Sequence, residues 1–516
     1  VEAYDHLVKK PLYEGIDLVL QFDTGLFRYD FLLAPGASPE HITFRYTGAY
    51  PSAVHLLSPE ELALDLNTGE IRHGKLFAFQ PGVSVSQPVD CRFTSRQDGT
   101  FGFALGQYDS RRPLVIDPLV YATYLGGTLT DIPQDIATDA AGNIYITGYT
   151  LSDNYPTTAG VYQKDIRDSS DIFVTKITAS GTRILYSTYL GGSRDDVSTS
   201  LAVTPDGEVF VTGRTRSSDF PTTADALDTN GYNGYTDIFL SRLSAKGDEL
   251  LYSTLIGGNK DDVANAIVIK RGFLYLTGET SSDSTFPVTS SAQQNKRASA
   301  QDAFVMILNN RGDSLCYSAY FGGNGVDIAR TLAVQNDGTI YIAGRTSSID
   351  LPVTAKAVKK ELSIQAEAFD GFITAFHPVT RTIYYCSYFG GIGNDEQIEA
   401  LAINSSDDII IGGWTNSPDL PITPSAFNPT PTGFLQHDGF VAAIRPDSSN
   451  PIFASYLGGA DKTSTKIFDL ALDGNDNIFC TGTTFSKNFP TTPDAFDISY
   501  ELPSNGDAFL TCINRS

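Results

Sequence analysis

The chain has 516 residues, with 60 Asp and Glu against 36 Lys and Arg, so its formal net charge at pH 7 is −24. A surface of that charge repels phosphate backbones and anionic lipids, which argues against nucleic-acid binding and membrane-surface docking but leaves divalent cations and neutral or cationic partners open. No apolar run approaches the roughly 20 residues that span a bilayer. Because the chain starts with Val1 rather than Met, we expect that a leader has been removed.

One aromatic phrase that ends in a glycine pair recurs six times. The second glycines of the pairs are Gly127, Gly192, Gly258, Gly323, Gly391 and Gly459. The first glycines lie at 126, 191, 257, 322, 390 and 458, which is a period of 65 to 68 residues. Repetition at a fixed period is typical of a repeat architecture, so we expect one structural unit per period.

Each unit contains four apolar segments separated by turn residues. In the unit that follows Gly192 they are SLAVT, EVFVTGRT, DIFLSRL and ELLYSTLIGG. Alternating β-branched and aromatic residues, bounded by Gly, Asp, Asn and Ser, predict strands. Four antiparallel strands per unit, repeated about an axis, predict an all-β chain whose units are the blades of a β-propeller.

The two ends of the array predict six blades. The last unit stops at Ser516 after its third segment, whereas Val120–Leu125 forms a fourth segment with no first three before it. These parts can complete one blade. We therefore expect a six-bladed ring closed by pairing of both ends, which removes exposed edge strands.

The connections between strands predict which face carries function. The loop from the second to the third strand has about 21 to 24 residues, counting Thr150 to Asp171 or Thr346 to Asp370, and the turns on the opposite face are short. Long loops on a rigid scaffold usually carry recognition. We therefore place the functional surface on this long-loop face.

Two sets of carboxylates are expected there. The first follows the glycine pairs and consists of Asp131, Asp196, Asp262, Asp327 and Asp395, with Thr463 replacing it in the sixth unit. The second precedes the third strands and consists of Asp171, Asp237, Asp302, Asp370, Asp438 and Asp507. The first set is a candidate Ca²⁺ site, since Ca²⁺ takes oxygen ligands, although recurrence in matched units favours a structural role in which each Asp accepts backbone N–H groups.

Positions whose residue type differs between matched units are not required by the scaffold, so their side chains are available to contact a partner. Near the end of the second strand the units carry Tyr149, Arg214, Glu279, Arg345, Trp414 and Thr483, and Trp414 is the only tryptophan of the chain. Aromatic and ionic side chains of this kind can hold a sugar ring or a peptide by stacking and bidentate hydrogen bonds. We take these six residues as the candidate ligand site, with ordinary variation at solvent-facing strand ends as the alternative.

The five cysteines show no CxxC spacing and are predicted to be buried small hydrophobes rather than metal ligands. Cys480 and Cys512 fall on neighbouring predicted strands, so one disulfide is possible there.

The units resemble the SBBP repeat, the "seven-bladed beta-propeller" repeat of secreted and surface bacterial proteins. Three patterns carry the resemblance over residues 119–516: Y-x-[ST]-Y-[LF]-G-G, G-N-[IV]-[YF]-[IV]-T-G and [DN]-[FYL]-P-[TIV]-T. The name of the family implies seven blades, whereas this chain has six units. The resemblance implies export and surface display, and it implies that residues 1–118, with YEGIDLVLQF and RRPLVIDP, are the β-rich domain that often precedes such arrays.

These observations predict a secreted or surface-exposed binding or scaffold module that recognises a glycan or protein partner through the long-loop face, with no cofactor required. The first alternative is a glycan-active lyase or hydrolase, for which Glu279, Glu396 and Glu399 are the candidate carboxylates. The second is an architectural subunit of a bacterial outer-membrane or secretion assembly. No GxSxG or HExxH motif is present, so an enzyme is the less favoured interpretation.

Overall fold

The chain divides into two compact units. One consists of Val1–Tyr124, Thr178–Arg183 and Thr491–Ser499, and the other of Leu125–Ile177, Ile184–Pro490 and Tyr500–Ser516. The computed structural model describes residues 6–23, 26–45, 54–58, 61–66, 69–73, 76–80, 87–96, 99–118, 124–179, 181, 183–228, 235–363, 368–392, 395–431, 436–459, 461, 463–492, 495 and 506–514. Within that part of the chain no helix has the length and apolar character to cross a membrane.

In the residues that the structure describes, the first unit consists of strands and the 3-10 turn Pro39–His41. Its strands are β1 His6–Tyr13, β2 Ile16–Asp23, β3 Leu26–Leu33, β4 Val54–Ser58, β5 Glu61–Leu66, β6 Gly69–His73, β7 Leu76–Gln80, β8 Gln87–Val89, β9 Cys91–Ser95, β10 Phe101–Leu105 and β11 Leu114–Pro118. They form a six-stranded sheet in the order β1-β2-β3-β11-β7-β8, a three-stranded sheet β4-β5-β6 and the pair β9-β10. The core combines aliphatic and aromatic side chains, and the rings of Phe31 and Phe103 meet edge to face at 5.5 Å.

The second unit is an array of blade-like antiparallel sheets, numbered here 1 to 6 along the chain. Sheets 1 and 2 consist of β12 Asp131–Thr138, β13 Ile144–Thr150, β14 Asp171–Ile177 and β15 Ile184–Leu190, and of β16 Asp196–Val203, β17 Val209–Thr215, β18 Asp237–Leu243 and β19 Leu250–Ile256. Sheets 3 and 4 consist of β20 Asp262–Lys270, β21 Phe273–Thr280, β22 Asp302–Asn309 and β23 Leu315–Phe321, and of β24 Asp327–Val334, β25 Ile340–Thr346, β26 Asp370–His377 and β27 Thr382–Phe389. Sheets 5 and 6 consist of β28 Glu396–Ile403, β29 Ile409–Thr415, β30 Asp438–Ile444 and β31 Phe453–Leu457, and of β32 Thr465–Leu472, β33 Ile478–Thr484 and β34 Asp507–Ile513. The expectation of four-stranded sheets in chain order is confirmed for sheets 1 to 5, and sheet 6 has three strands among the described residues.

Every first strand of the array carries a β-bulge at the same place, where one residue has no partner in the second strand. The bulged residues are Gln134, Thr199, Asn265, Arg330, Glu399 and Phe468. The bulge brings a carbonyl oxygen of the first strand close to a glycine of the second strand. A Cβ at Gly213, for example, would lie 2.1 Å from the carbonyl oxygen of Val197. The glycine is therefore required by close backbone approach rather than by an unusual φ.

Neighbouring sheets pack face to face through apolar clusters. Between sheets 2 and 3, for example, Phe210, Leu240 and Phe304 are all fully buried. First strands contact the first strands of the next sheet, so they are the innermost strands of the array.

The two ends of the array differ from its middle. Ile136 of sheet 1 is 60% exposed, whereas its counterpart Leu201 in sheet 2 is buried. Leu510 of sheet 6 is 75% exposed, whereas its counterpart Val441 in sheet 5 is fully buried. Of the predicted closing strand, residues 120–123 lie outside the described residues, and Leu125 packs on the cluster of Tyr155, Phe173 and Tyr189 in sheet 1.

None of the five cysteines forms a disulfide. Cys91, Cys386 and Cys480 are buried as predicted, whereas Cys316 and Cys512 are exposed, so the prediction is wrong for these two. Cys480 lies opposite Thr511, whereas Cys512 lies opposite Phe479. Neighbouring residues on a strand face opposite sides of the sheet, so the two thiols are not paired across it and the possible disulfide is not formed.

Candidate functional site

The glycine pairs are part of the scaffold. The backbone N–H of Gly192 donates to Asp196 Oδ2 at 2.6 Å, and Ser217 Oγ donates to the same oxygen at 2.9 Å. The same bond recurs from Gly127 to Asp131 at 2.7 Å, from Gly258 to Asp262 at 2.7 Å and from Gly323 to Asp327 at 2.8 Å. The segment that leads into the first strand of a sheet is called its link here. Each carboxylate ties this link to the long loop that follows the second strand of the same sheet.

The first acidic set needs correction in sheets 5 and 6. The backbone N–H of Glu396 donates to Phe369 O at 2.9 Å, as that of Asp327 donates to Gln301 O at 3.0 Å, so Glu396 rather than Asp395 holds the equivalent position. In sheet 6 that position is held by Thr465 rather than Thr463, with its N–H on His437 O. The links after Gly391 and Gly459 are longer by one and two residues, which shifts the register.

An Asp of each acidic set lies against the first glycine of the links between sheets 1 and 2, 2 and 3, and 3 and 4. A Cβ at Gly191 would collide with carboxylate oxygens of both Asp171 and Asp196, and both side chains are fully buried. Burial raises the pKa of Asp171 to about 7, and the charge of Asp196 adds to this rise. Burial likewise raises the pKa of Asp196 to about 6, opposed by the N–H of Gly192. One acid of the pair can thus hold a proton near neutral pH.

The described residues contain no group of three or more His, Cys, Asp or Glu placed to hold a metal ion. The candidate Ca²⁺ ligands Asp131, Asp196, Asp262 and Asp327 lie in successive sheets and each bonds the N–H of its own glycine. This arrangement provides the backbone-pinning role that was the alternative to metal binding.

The six candidate ligand residues occupy one structural position. Each is the penultimate residue of a second strand: Tyr149, Arg214, Glu279, Arg345, Trp414 and Thr483. Tyr149 and Thr483, in the terminal sheets, are half-buried, and Arg214 is exposed. The other three residues, Glu279, Arg345 and Trp414, lie at the seams of sheets 3 to 6, where neighbouring sheets pack against each other.

Three arginines of sheets 2 and 4 act electrostatically on one glutamate of sheet 3, Glu279. We call Arg214, Arg330 and Arg345 the arginine cluster. Burial raises the pKa of Glu279, and the positive charges of Arg330, Arg345 and Arg214 oppose that rise. Arg345 lies over the ring of Phe369, with the guanidinium carbon 4.6 Å from the ring centroid. Arg345 is thus held by packing, whereas Arg214 is exposed to solvent.

Trp414 is a packing residue of the seam between sheets 5 and 6. It is 7% exposed, and its indole N–H donates to Glu399 Oε1 at 2.9 Å. The ammonium of Lys466 lies 4.0 Å from its ring centroid, and the ring of His437 meets it edge-on at 4.6 Å. One ring face is therefore covered by Lys466, which leaves little surface for stacking on a sugar.

The carboxylates considered for glycan chemistry either accept hydrogen bonds from other side chains of the protein or lie apart from the other two. Glu396 is fully buried and accepts hydrogen bonds from Thr415 Oγ1, at 2.8 Å, and from Ser417 Oγ. Glu399 accepts from Trp414 and, at 2.6 Å, from Gln397. Glu279 lies among arginines, so the three do not form a common acid–base pair.

The bulged residues are the part of the site that the sequence analysis missed. Thr199 Oγ1 donates to Ala264 O at 2.7 Å, and Asn265 Nδ2 donates to Ala329 O at 2.8 Å, so each reaches the first strand of the next sheet. The fourth member of this series is Arg330, in the arginine cluster. Because every first strand carries the same extra residue, alignment of the units shows no gap there, and the bulge is visible only in the strand pairing.

Comparison with known proteins agrees with this architecture. A family model described as "Beta-propeller repeat", SBBP, matches residues 120–156, 185–221 and 452–490. The chain carries SBBP repeats. A second family model, "Domain of unknown function (DUF7948)", matches residues 1–119, which precede the SBBP repeats.

A curated relative is the "Regulatory protein FlaEY" of Caulobacter vibrioides (strain ATCC 19089 / CIP 103742 / CB 15), which is 28% identical over 359 residues. The match covers 67% of this chain and 36% of that protein, so the chain spans about a third of its relative. A solved structure of a protein of unknown function from Dyadobacter fermentans DSM 18053 aligns with 71% of this chain and 93% of its own, at 11% identity and a TM-score of 0.39.

Proposed function

We propose that the SBBP repeats form a binding scaffold that recognises a protein partner through the long-loop face. The observation that carries this proposal is the exposure of apolar side chains on the loops and inter-sheet links of that face. Ile349 is 70% exposed, and Leu129, Tyr235 and Ile392 are also exposed. Loops on a rigid scaffold usually carry recognition, and a protein partner can bury apolar side chains that they expose.

A protein partner is favoured over a glycan. Sugar sites depend on aromatic faces open to solvent, and the only tryptophan of the candidate site is covered by Lys466. The glycan expectation thus loses its best-placed aromatic, whereas the apolar loop residues suit a peptide.

Selection from a phage-displayed library of random dodecapeptides tests this proposal. We expect the full chain to enrich peptides whose binding is lost in Ile349→Asp and Ile392→Asp. Val379, 83% exposed in the turn between β26 and β27 on the opposite face, supplies the matched control Val379→Asp. Equal loss in all three variants, or binding of glycans on an array with no peptide enriched, would contradict a protein-binding long-loop face.

We also propose that the array is a six-bladed ring closed by Val120–Leu125, which would add the fourth strand beside β34. Support comes from Leu125, which packs against sheet 1 as Leu190 packs in the cluster between sheets 1 and 2, and from the exposed Leu510, whose counterparts are buried. If the strand is in place, Leu510→Asp destabilises the chain about as much as Val441→Asp. If the edge is open, Leu510→Asp behaves like Val379→Asp, and thermal unfolding of the three variants distinguishes the two cases.

The surface location implied by the resemblance is proposed as well. We expect the protein, expressed from its complete gene in a bacterial host, to be cleaved by protease added to intact cells. Protection until the cells are lysed would argue for an internal location.

A further inference from the structure

Resting on the proposed function, we propose that the arginine cluster is a receptor for a carboxylate that a partner peptide carries between apolar side chains. The cluster consists of Arg214, Arg330 and Arg345, and the carboxylate is an Asp or Glu side chain or a C-terminus. This assignment names the chemistry of the partner and adds Arg330, a residue on the innermost strands, to the recognition site.

The charge of the cluster is the first argument. Among the described residues, no carboxylate oxygen lies within 4.0 Å of a nitrogen of Arg214, Arg330 or Arg345, although the chain as a whole is strongly acidic. All three act on the charge of Glu279, yet none of them forms an ion pair with it. Guanidinium groups that lack an ion-pair partner can bind an incoming anion.

Unsatisfied donors are the second argument. Arg330 Nε and Arg345 Nε are buried and have no hydrogen-bond partner in the described part of the chain, and Glu279 Oε2 is buried and unpartnered as well. The contact of Arg330 with Asn265 Oδ1 is 3.5 Å long and therefore weak. Buried donors without acceptors are costly and rare in folded proteins, so donors in this state fit a site completed by an external acceptor.

The position of the cluster gives access and rigidity. Arg214 is exposed and opens the cluster to solvent, whereas Arg330 and Arg345 are half-buried. Arg345 is held over Phe369, and the bulge of β24 sets the backbone position of Arg330. A guanidinium held in one orientation presents its paired N–H groups to a carboxylate with little loss of side-chain entropy.

The net charge of the chain favours a single carboxylate over a polyanion as the ligand of the cluster. A polyanion such as an acidic polysaccharide would bring many charges close to a protein with a net charge of −24. A single carboxylate flanked by apolar residues avoids that repulsion, and its neighbours can contact exposed residues such as Ile349. A peptide with one well-placed acid fits both features.

The test uses the full chain and the dodecapeptides selected on it. We expect the enriched sequences to share an Asp, a Glu or a fixed distance to the free carboxyl end. Fluorescence anisotropy should show the Kd of such a peptide weakened about 10-fold or more by Arg345→Ala, and less by Arg214→Ala, whose exposed side chain can be removed without disturbing the fold. Arg311, exposed in the turn between β22 and β23 on the opposite face, supplies the control Arg311→Ala, with unchanged affinity.

Two further measurements separate recognition from stability. Glu279→Gln removes the competing anion and should tighten binding severalfold, which a purely structural role of Glu279 would not produce. Amidation of the peptide carboxylate should weaken binding to the native chain but have little added effect in Arg345→Ala, because the two changes remove one interaction.

The outcomes distinguish this inference from the proposed function. Enriched peptides without a common acid, or equal binding of the amidated peptide, overturn the carboxylate assignment while leaving the long-loop face as a peptide-binding surface. Binding of polygalacturonate or of a phosphopeptide alone also overturns it. If no peptide is enriched, the proposed function fails, and the inference fails with it.

Discussion

Asp196 accepts a hydrogen bond from the backbone N–H of Gly192 at 2.6 Å and another from Ser217 Oγ at 2.9 Å. Through this one side chain the link between sheets 1 and 2 is tied to the long loop of sheet 2. The bond recurs at three other links, so the stability of the array and the position of its loops depend on the same residues.

Gly192→Ala should therefore destabilise the array. A Cβ at this position would lie 2.5 Å from Ser217 Cβ, so the link and the loop would have to separate. We expect the free energy of unfolding to fall by about 1 to 3 kcal/mol, the usual range for overpacking. A Cβ at Gly474 would meet no heavy atom within 4 Å, so Gly474→Ala should change the free energy of unfolding by less than about 0.5 kcal/mol in the same denaturant titration. Equal effects would mean that the link tolerates a side chain.

The buried acids at the links predict greater stability under mildly acidic conditions. The pKa values of Asp171, at about 7, and Asp196, at about 6, lie above the ordinary value of 3.8, so the folded chain binds protons that the unfolded chain releases. This contribution to stability is complete below about pH 4 and is lost as the pH rises through 6 to 7. Thermal unfolding should occur at a higher temperature at pH 5 than at pH 8.

Asp196→Asn should reduce that pH dependence, because it removes one of the titrating groups. Asp225 is exposed in the long loop of sheet 2, so Asp225→Asn removes the same charge and should leave the slope of Tm against pH unchanged. If both variants reduce the dependence of Tm on pH equally, this dependence is caused by general charge repulsion rather than by the buried pair.

Trp414→Phe should lower the free energy of unfolding by about 1 kcal/mol, the usual worth of one hydrogen bond, because Glu399 loses the indole donor at 2.9 Å. Lys466→Met should remove the cation–π contact at a cost of about 0.5 to 2 kcal/mol. Since Trp414 is the only tryptophan, its fluorescence reports on the seam between sheets 5 and 6. An emission maximum close to that of free tryptophan in water would contradict its burial.

Calcium should leave thermal stability unchanged. The candidate ligands Asp131, Asp196, Asp262 and Asp327 already accept hydrogen bonds from glycine N–H groups, and each lies in a different sheet. We expect the same Tm in millimolar CaCl₂ and in EDTA, measured at constant ionic strength. A higher Tm in CaCl₂ than in EDTA, with no such difference in the Asp196→Asn variant, would instead support the metal site.

The repeat, the strand order within each sheet and the face that carries the long loops all follow from the sequence, because they depend on local patterns: alternating apolar residues, turn glycines and a fixed period. The role of the glycine pairs follows as well, since the same phrase in every unit has to serve the scaffold.

Only the tertiary structure decided which side chains meet. The loops after Gly391 and Gly459 are longer, so Glu396 and Thr465 replace Asp395 and Thr463 at the links, a shift that single-unit patterns do not reveal. Arg330 joins Glu279 and Arg345 because a bulge redirects it, and Trp414 is covered by Lys466 from the next sheet. These relationships lie between sheets, where the packing of neighbouring units rather than local periodicity determines burial and charge.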